Sequence, residues 1–324
     1  MKKTISILLM LVLLFCSFSC VMPTYATYLA EQELNLAQYT LEDLTTMPAD
    51  EYRQLLADFE RIYDPYNTYN TNPIMDENKK PTIQPLWGSG DPAKDKSGSH
   101  EIITAQACAV MNTDKGFFST DALENVITSL AISLASILPD DDEVGIILFA
   151  GHFYHAIDGD NYVGSKTNTA LTNCREHYNA AVAAAKRNDQ GKMAEELGRA
   201  LHYLQDAGEP HHAANITVAN IAHDRFETFV DGNIETYTNL ITSVNKHNFH
   251  YSTASYTYSS AVANSVDYLV KSISLIAYGY KGQVNNALNN SQWDYVARIT
   301  VPNSVAFSSL LMYKFAIDSG VGVH

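Results

Sequence analysis

The chain has 324 residues, 46% of them hydrophobic and 18% charged, and its 36 Asp/Glu against 21 Lys/Arg leave a formal charge of −15. Such a field repels nucleic-acid backbones and anionic lipid, so it excludes a basic polynucleotide groove and requires any phosphate site to be built with metal. Four cysteines, two of them within the first twenty residues, exclude a disulfide scaffold.

Lys2 and Lys3, the apolar run from Ile5 to Phe15 and the small-residue site Thr24-Tyr25-Ala26 read as a signal peptide over residues 1–26, so the chain is expected to be exported. The run is well short of the ~20 residues that a membrane-spanning helix needs, and no later segment stays apolar for that length. Lipid anchoring through Cys20 is disfavoured, because Ser17-Phe18-Ser19 lacks the upstream Leu of a lipoprotein signal. Residues 27–86 hold one amphipathic segment near 49–62 and then an Asn/Tyr/Pro-rich run. They read as a propeptide and linker or, on composition alone, equally well as a small attached N-terminal domain. Residues 87–324 retain 15 basic and 25 acidic side chains and remain acidic. Cys108 and Cys174 stay in this portion, as one bridge or as two buried thiols.

From Ser99 onward the apolar spacing is helical. Ser99 is read as an N-cap before His100, with Ile103, Ala107 and Val110 on one face. Further helices are expected near 120–138, 167–187, 190–206, 220–237, 259–280 and 291–317, separated by Gly, Pro and Asn clusters. Few alternating strand patterns occur and there is no internal repeat, which points to one all-α domain over 87–324.

His202 and Asp206 stand four apart on one helical face, as do His223 and Glu227, and His212 lies between the two pairs. Imidazole and carboxylate without thiolate suit zinc in open, catalytic sites. Upstream, His152 follows Asp140 by twelve residues and His100 follows Trp87 by thirteen.

The run from Trp87 to His100, the pair Asp140 and His152, the motif His202-Tyr-Leu-Gln-Asp206-Ala-Gly-Glu-Pro-His-His212-Ala-Ala-Asn and the segment His223-Asp-Arg-Phe-Glu227 together resemble bacterial zinc-dependent phospholipase C. The resemblance spans essentially all of residues 87–324. It implies an all-helical fold of the type shared with P1-like nucleases, and three Zn2+ ions. Asp140, His152, His202 and Asp206 would hold one ion, and Asp206 would bridge to a second held by His100 with the amine and carbonyl of Trp87. His212, His223 and Glu227 would hold the third. The resemblance also makes Asp140 the general base, with Asp141 and Asp142 adjacent to it. An amide nitrogen is a poor zinc donor whereas a terminal amine is a good one, so cleavage between Leu86 and Trp87 would complete the site and the precursor would be a zymogen.

The implied reaction is hydrolysis of phospholipid to diacylglycerol and a phosphorylated head-group alcohol. Gly90 and Asp141 stand where choline-selective relatives carry an acidic and an aromatic residue. Phe149 keeps a third such element and reads either as a cation–π partner for a quaternary ammonium or as core. The chain ends at His324 after a helical segment, so no C-terminal membrane-binding β-sandwich is expected, and the protein should work as a monomer at lipid or micelle surfaces. The aromatic loop from Phe249 to Tyr258 reads as a plain Tyr-rich loop before a lipid contact. His155, His177, His211, His247, His250 and His324 match no ligand position and read as surface or hydrogen-bonded residues. The rival readings are a three-zinc single-strand nuclease, disfavoured by the thirteen-residue step from Trp87 to His100, and a secreted zinc-binding protein without turnover.

Overall fold

A computed structural model describes residues 98–116, 123–143, 149–217, 220–249, 256–286 and 290–321. The expected signal segment 1–26 and expected propeptide 27–86, with Trp87, His250 and His324, lie outside the described residues. All described residues belong to the unit Asn72–His324.

Eleven α-helices are described: α1 Ser99–Lys115, α2 Leu123–Ala135, α3 Leu138–Asp142, α4 Ala170–Lys186, α5 Gln190–Asp206, α6 Ile221–Asp231, α7 Ile234–Thr238, α8 Tyr258–Ala263, α9 Val266–Tyr278, α10 Lys281–Asn286 and α11 Asn290–Ser319. Single 3-10 turns lie at Ala150–His152, His212–Ala214 and Val244–Lys246. No strand occurs among the described residues, so the all-α expectation holds.

α11 forms the axis. Nearly every residue from Val296 to Ala316 is buried, so the helix is covered all round rather than on one face, as befits an element surrounded by others. α1, α4, α5, α7, α8 and α9 all pack on it. Pro302 sits inside this helix and deprives the Arg298 carbonyl of its intrahelical donor, and Arg298 faces solvent. α5 lies between α4 and α2. Its approach to α2 depends on Gly198, where a Cβ would stand 2.6 Å from Ala135 Cβ and 2.7 Å from the Ile132 carbonyl oxygen.

The expected helix 190–206 is found with those bounds, capped by the Asp189 side chain accepting from the Lys192 amide. Two expected helices are each broken once. The stretch 220–237 divides at Gly232-Asn233, and 259–280 divides at Asn264-Ser265, where Ser265 caps the second piece by accepting from the Tyr268 amide. The Ser99 cap is corrected. Gly98, extended at φ −76° and ψ 160°, is the N-cap, and the Ser99 hydroxyl instead donates to the Asp231 carboxylate at the end of α6. Cys108 and Cys174 are two free buried thiols. Among the described residues no helix is long and apolar enough to cross a membrane.

Candidate metal centre

Every predicted side chain on a described element converges on one buried region. His100 is the second residue of α1, Asp140 lies in α3, His152 ends the first 3-10 turn, and His202 and Asp206 form the last turn of α5. His212 opens the second 3-10 turn, and His223 and Glu227 face inward from α6. All eight are buried. Backbone bonds lock the loops together: the amides of Tyr154 and Ala156 donate to the carbonyls of His212 and Ala213, at 3.3 and 3.0 Å. The turn after α5 needs Gly208, because a Cβ there would lie 2.6 Å from Ile273 Cδ1 and 2.7 Å from Ser304 Oγ.

Asp206 is the hub. Its Oδ2 stands 2.9 Å from His152 Nδ1 and 3.0 Å from His202 Nε2, while its Oδ1 stands 3.6 Å from His100 Nε2 and 3.4 Å from His212 Nδ1. Asp140 Oδ1 is 3.5 Å from His202 Nε2 and 3.7 Å from His152 Nδ1. On the far side of His212, its Nε2 lies 3.4 Å from Glu227 Oε1, which is 2.9 Å from His223 Nε2. These side chains form three groups able to hold an ion: Asp140/His152/His202, His100/His202/Asp206 and Glu209/His212/His223/Glu227. The side chains of Asp141 and Asp142 lie outside the described residues.

The imidazoles are oriented from behind. His202 Nδ1 donates to the Ser136 carbonyl at 2.8 Å, and His212 Nδ1 to the His152 carbonyl at 3.1 Å. His100 Nδ1 donates to Gln205 Oε1 at 2.8 Å, and the Gln205 amide is fixed in turn by Thr104 Oγ1 and Ser308 Oγ at 2.9 and 3.2 Å. In each ring the Nε2 lone pair is left facing the cluster, as metal-binding histidines require. His152 is turned the other way. Its Nδ1 faces the cluster, and its Nε2 lies 3.6 Å from the Glu143 carboxylate, which accepts the Tyr203 hydroxyl. Phe149 is buried and stacks on His152 with centroids 4.8 Å apart, while Phe153 stacks on His212 at 4.3 Å.

Electrostatically the groups pull one another apart. Burial pushes the Asp140 carboxyl up to about 7, and burial with the neighbouring His202 drives His100 down to about 3. His152 goes the other way despite its burial, up to about 10, because Asp206 and Glu143 favour its charge. Against the same burial, His202 and His152 hold Asp206 well below the usual carboxylate range. Three residues of the site carry no signal that the sequence reading uses. Gln205 and Glu143 carry no spacing pattern with the histidines they serve, and Glu209 sits inside the recognised motif but does not match a ligand position. His211, read as surface or hydrogen-bonded, is fully buried, bonded to Glu209 and stacked on His223.

The donor set fits a metal ion. Both Asp140 oxygens, His212 Nε2 and Glu227 Oε2 are buried without a hydrogen-bond partner. Orphaned polar atoms cost roughly 1–3 kcal/mol each, and a cation held in each group would satisfy those of that group. Fold and site thus define an all-helical protein whose core encloses a buried imidazole–carboxylate cluster of metal-ligand composition.

No protein-family model matches the chain. Among curated proteins it is 26% identical over 251 residues to phospholipase C of Clostridium perfringens, covering 72% of this chain and 62% of that protein. It is 27% identical over 248 residues to phospholipase C of Paraclostridium bifermentans, covering 69% and 60%. A phospholipase C of Bacillus cereus matches at 27% over 155 residues, covering 46% and 54%. The chain spans about three-fifths of the length of the clostridial relatives. Two solved structures share the fold: alpha-toxin of an avian Clostridium perfringens strain, with TM-score 0.57, 24% identity and coverage of 70% and 65%, and alpha-toxin of Clostridium absonum, with TM-score 0.58, 23% identity and coverage of 69% and 65%. By sequence and by fold the chain is a relative of the bacterial phospholipases C.

Proposed function

We propose that the protein is a secreted zinc metallophosphodiesterase that hydrolyses phospholipids, phosphatidylcholine among them, to diacylglycerol and a phosphorylated head-group alcohol. The observation that carries this reading is the convergence of eight buried imidazole and carboxylate side chains on one region, where both Asp140 oxygens, His212 Nε2 and Glu227 Oε2 have no hydrogen-bond partner. The relatives named phospholipase C supply the substrate class.

Asp140, His152, His202 and Asp206 would hold one zinc, and His100 and Asp206 a second, completed by the amine and carbonyl of Trp87 once residues 1–86 are removed. His212, His223 and Glu227 would hold the third. Zinc, when bound, supplies positive charge against the phosphodiester oxygens and Lewis acidity toward water. The carboxyl of Asp140 stands beside His152 and His202 and orients the attacking water or takes its proton. Attack in line breaks the P–O bond on the glycerol side, and the glycerol oxygen leaves with a proton. Phe149, stacked on His152, is the aromatic ring we assign to a quaternary ammonium head group, without strict choline selection.

The test compares protein beginning at Trp87 with protein retaining residues 27–86 on phosphatidylcholine micelles, each with zinc and with chelator. Zinc-dependent release of phosphocholine by the Trp87 form alone is expected. Equal release by both forms would overturn the activation by a free amine. Cleavage of single-stranded DNA without phosphocholine release would replace the phospholipase by a nuclease.

A further inference from the structure

The turn between α5 and α6 holds one carboxylate that neither the expected ligand set nor the mechanism uses. Glu209 is fully buried. Its Oε2 accepts the His212 amide at 2.7 Å and stands 4.0 Å from His223 Nε2, while its Oε1 accepts His211 Nδ1 at 2.8 Å. Glu209, His212, His223 and Glu227 each offer one donor atom, and all four atoms lie within 4.8 Å of one another.

Bonds of ~2.0–2.1 Å to a tetrahedral zinc place neighbouring donor atoms about 3.3 Å apart. The separations here are 2.9 Å for His223 Nε2 to Glu227 Oε1, 3.4 Å for His212 Nε2 to Glu227 Oε1, and 4.0 Å for His223 Nε2 to Glu209 Oε2, which bracket that value. We propose that Glu209 is a fourth protein donor to the third ion, so that two imidazoles and two carboxylates enclose it; this rests on the three-zinc reading above.

A carboxylate oxygen has two lone pairs, and the bond from the His212 amide uses one of those on Oε2. His211 steers the other oxygen. Its ring lies 4.6 Å from that of His223 at 13°, so the Glu209–His211 pair is packed flat against a ligand and turns the carboxylate toward it. Two carboxylates cancel the double charge of the ion, and four protein donors fill a tetrahedron. The third ion would therefore anchor the turn between α5 and α6.

A capping role alone would need no charge, because a glutamine oxygen accepts the His212 amide equally well. The full chain and its Glu209→Gln variant are loaded with zinc and titrated with a chelator, and the same pair is loaded with cobalt for absorption spectroscopy. The wild type should hold one equivalent longest. The variant should lose that equivalent at chelator concentrations at least ~100-fold lower, beyond the ~10–100-fold expected of a residue that only orients a ligand. Its cobalt absorption should weaken as water replaces the carboxylate. An unchanged midpoint and spectrum overturn the assignment. His223→Ala separates the two readings: if it too leaves the metal count unchanged, the third site itself fails, whatever Glu209 does. A zinc-loaded crystal structure of the wild type needs no variant. It should place a Glu209 oxygen within ~2.2 Å of the ion, and a distance beyond about 3 Å overturns the proposal.

Discussion

Two regions of this protein carry the same residue types and differ in everything else. Around Asp206, imidazoles and carboxylates are almost wholly buried and face one another, and both oxygens of the adjacent Asp140 are buried without a hydrogen-bond partner. At the surface, His155, Asp158 and Asp160 also stand close enough to share an ion. There, however, the Asp158 side chain is 65% exposed, His155 Nδ1 accepts the Asp158 amide, and the Asp160 carboxylate accepts the Asn215 amide. Proximity of ligand types is common to both. Desolvation, and orientation from behind by Ser136, His152 and Gln205, belong only to the buried cluster, and these make a set of side chains into a site.

The sharpest way to break this contrast is at its hub. Asp206→Asn should abolish zinc-dependent phosphodiesterase activity and reduce bound zinc by two equivalents, because one carboxylate faces both His100 and His202. The matching Asp158→Asn should leave metal content unchanged and stability within about 0.5 kcal/mol. Metal analysis of the two variants side by side decides it, and equal losses in both would erase the distinction.

A smaller effect comes through pH. Asp140 titrates near 3.8 when unfolded but about 7 when buried, so its contribution to the stability of the metal-free fold is complete below the first value and lost as pH rises through the second. Zinc binding moves oppositely, since the protons held by Asp140 and by His152, raised to about 10, must leave before these groups can ligate. The gap in Tm between zinc-loaded and chelator-treated protein should therefore widen from pH 5 to pH 8. A constant gap would mean that these protons are not displaced.

The subtlest test concerns orientation. Gln205→Leu removes the acceptor that holds the proton on His100 Nδ1 and leaves Thr104 and Ser308 without the amide they share. Affinity for the ion at His100 should fall ~10–100-fold. Nitrogen-resolved NMR of the histidines should show His100 losing its fixed tautomer, and an unchanged tautomer would place the orienting force elsewhere.

Much of this was legible along the chain, because helical periodicity is local. The bounds of α5, the pairs His202/Asp206 and His223/Glu227, and the all-helical class follow from spacings of three and four residues. Breaks at Gly232-Asn233 and Asn264-Ser265 were missed, since single Gly and Asn residues within apolar periodicity are tolerated in many helices. Asp140, His100 and His152 were read through family resemblance rather than from periodicity, and the structure brings them to the same region.

What the sequence determined by itself was therefore the helices, the acidic balance that calls for metal, and the residue types offered to it. What only the tertiary structure decided was which polar groups stand behind them. Gln205 meets His100 across 105 residues, Glu143 faces His152 and Tyr203, and the Glu209–His211 pair lies against His223. No periodicity encodes such contacts. They arise when α1, α5 and α6 close on one another and water is excluded, and it is then that an ordinary glutamine or glutamate becomes the group that orients a ligand.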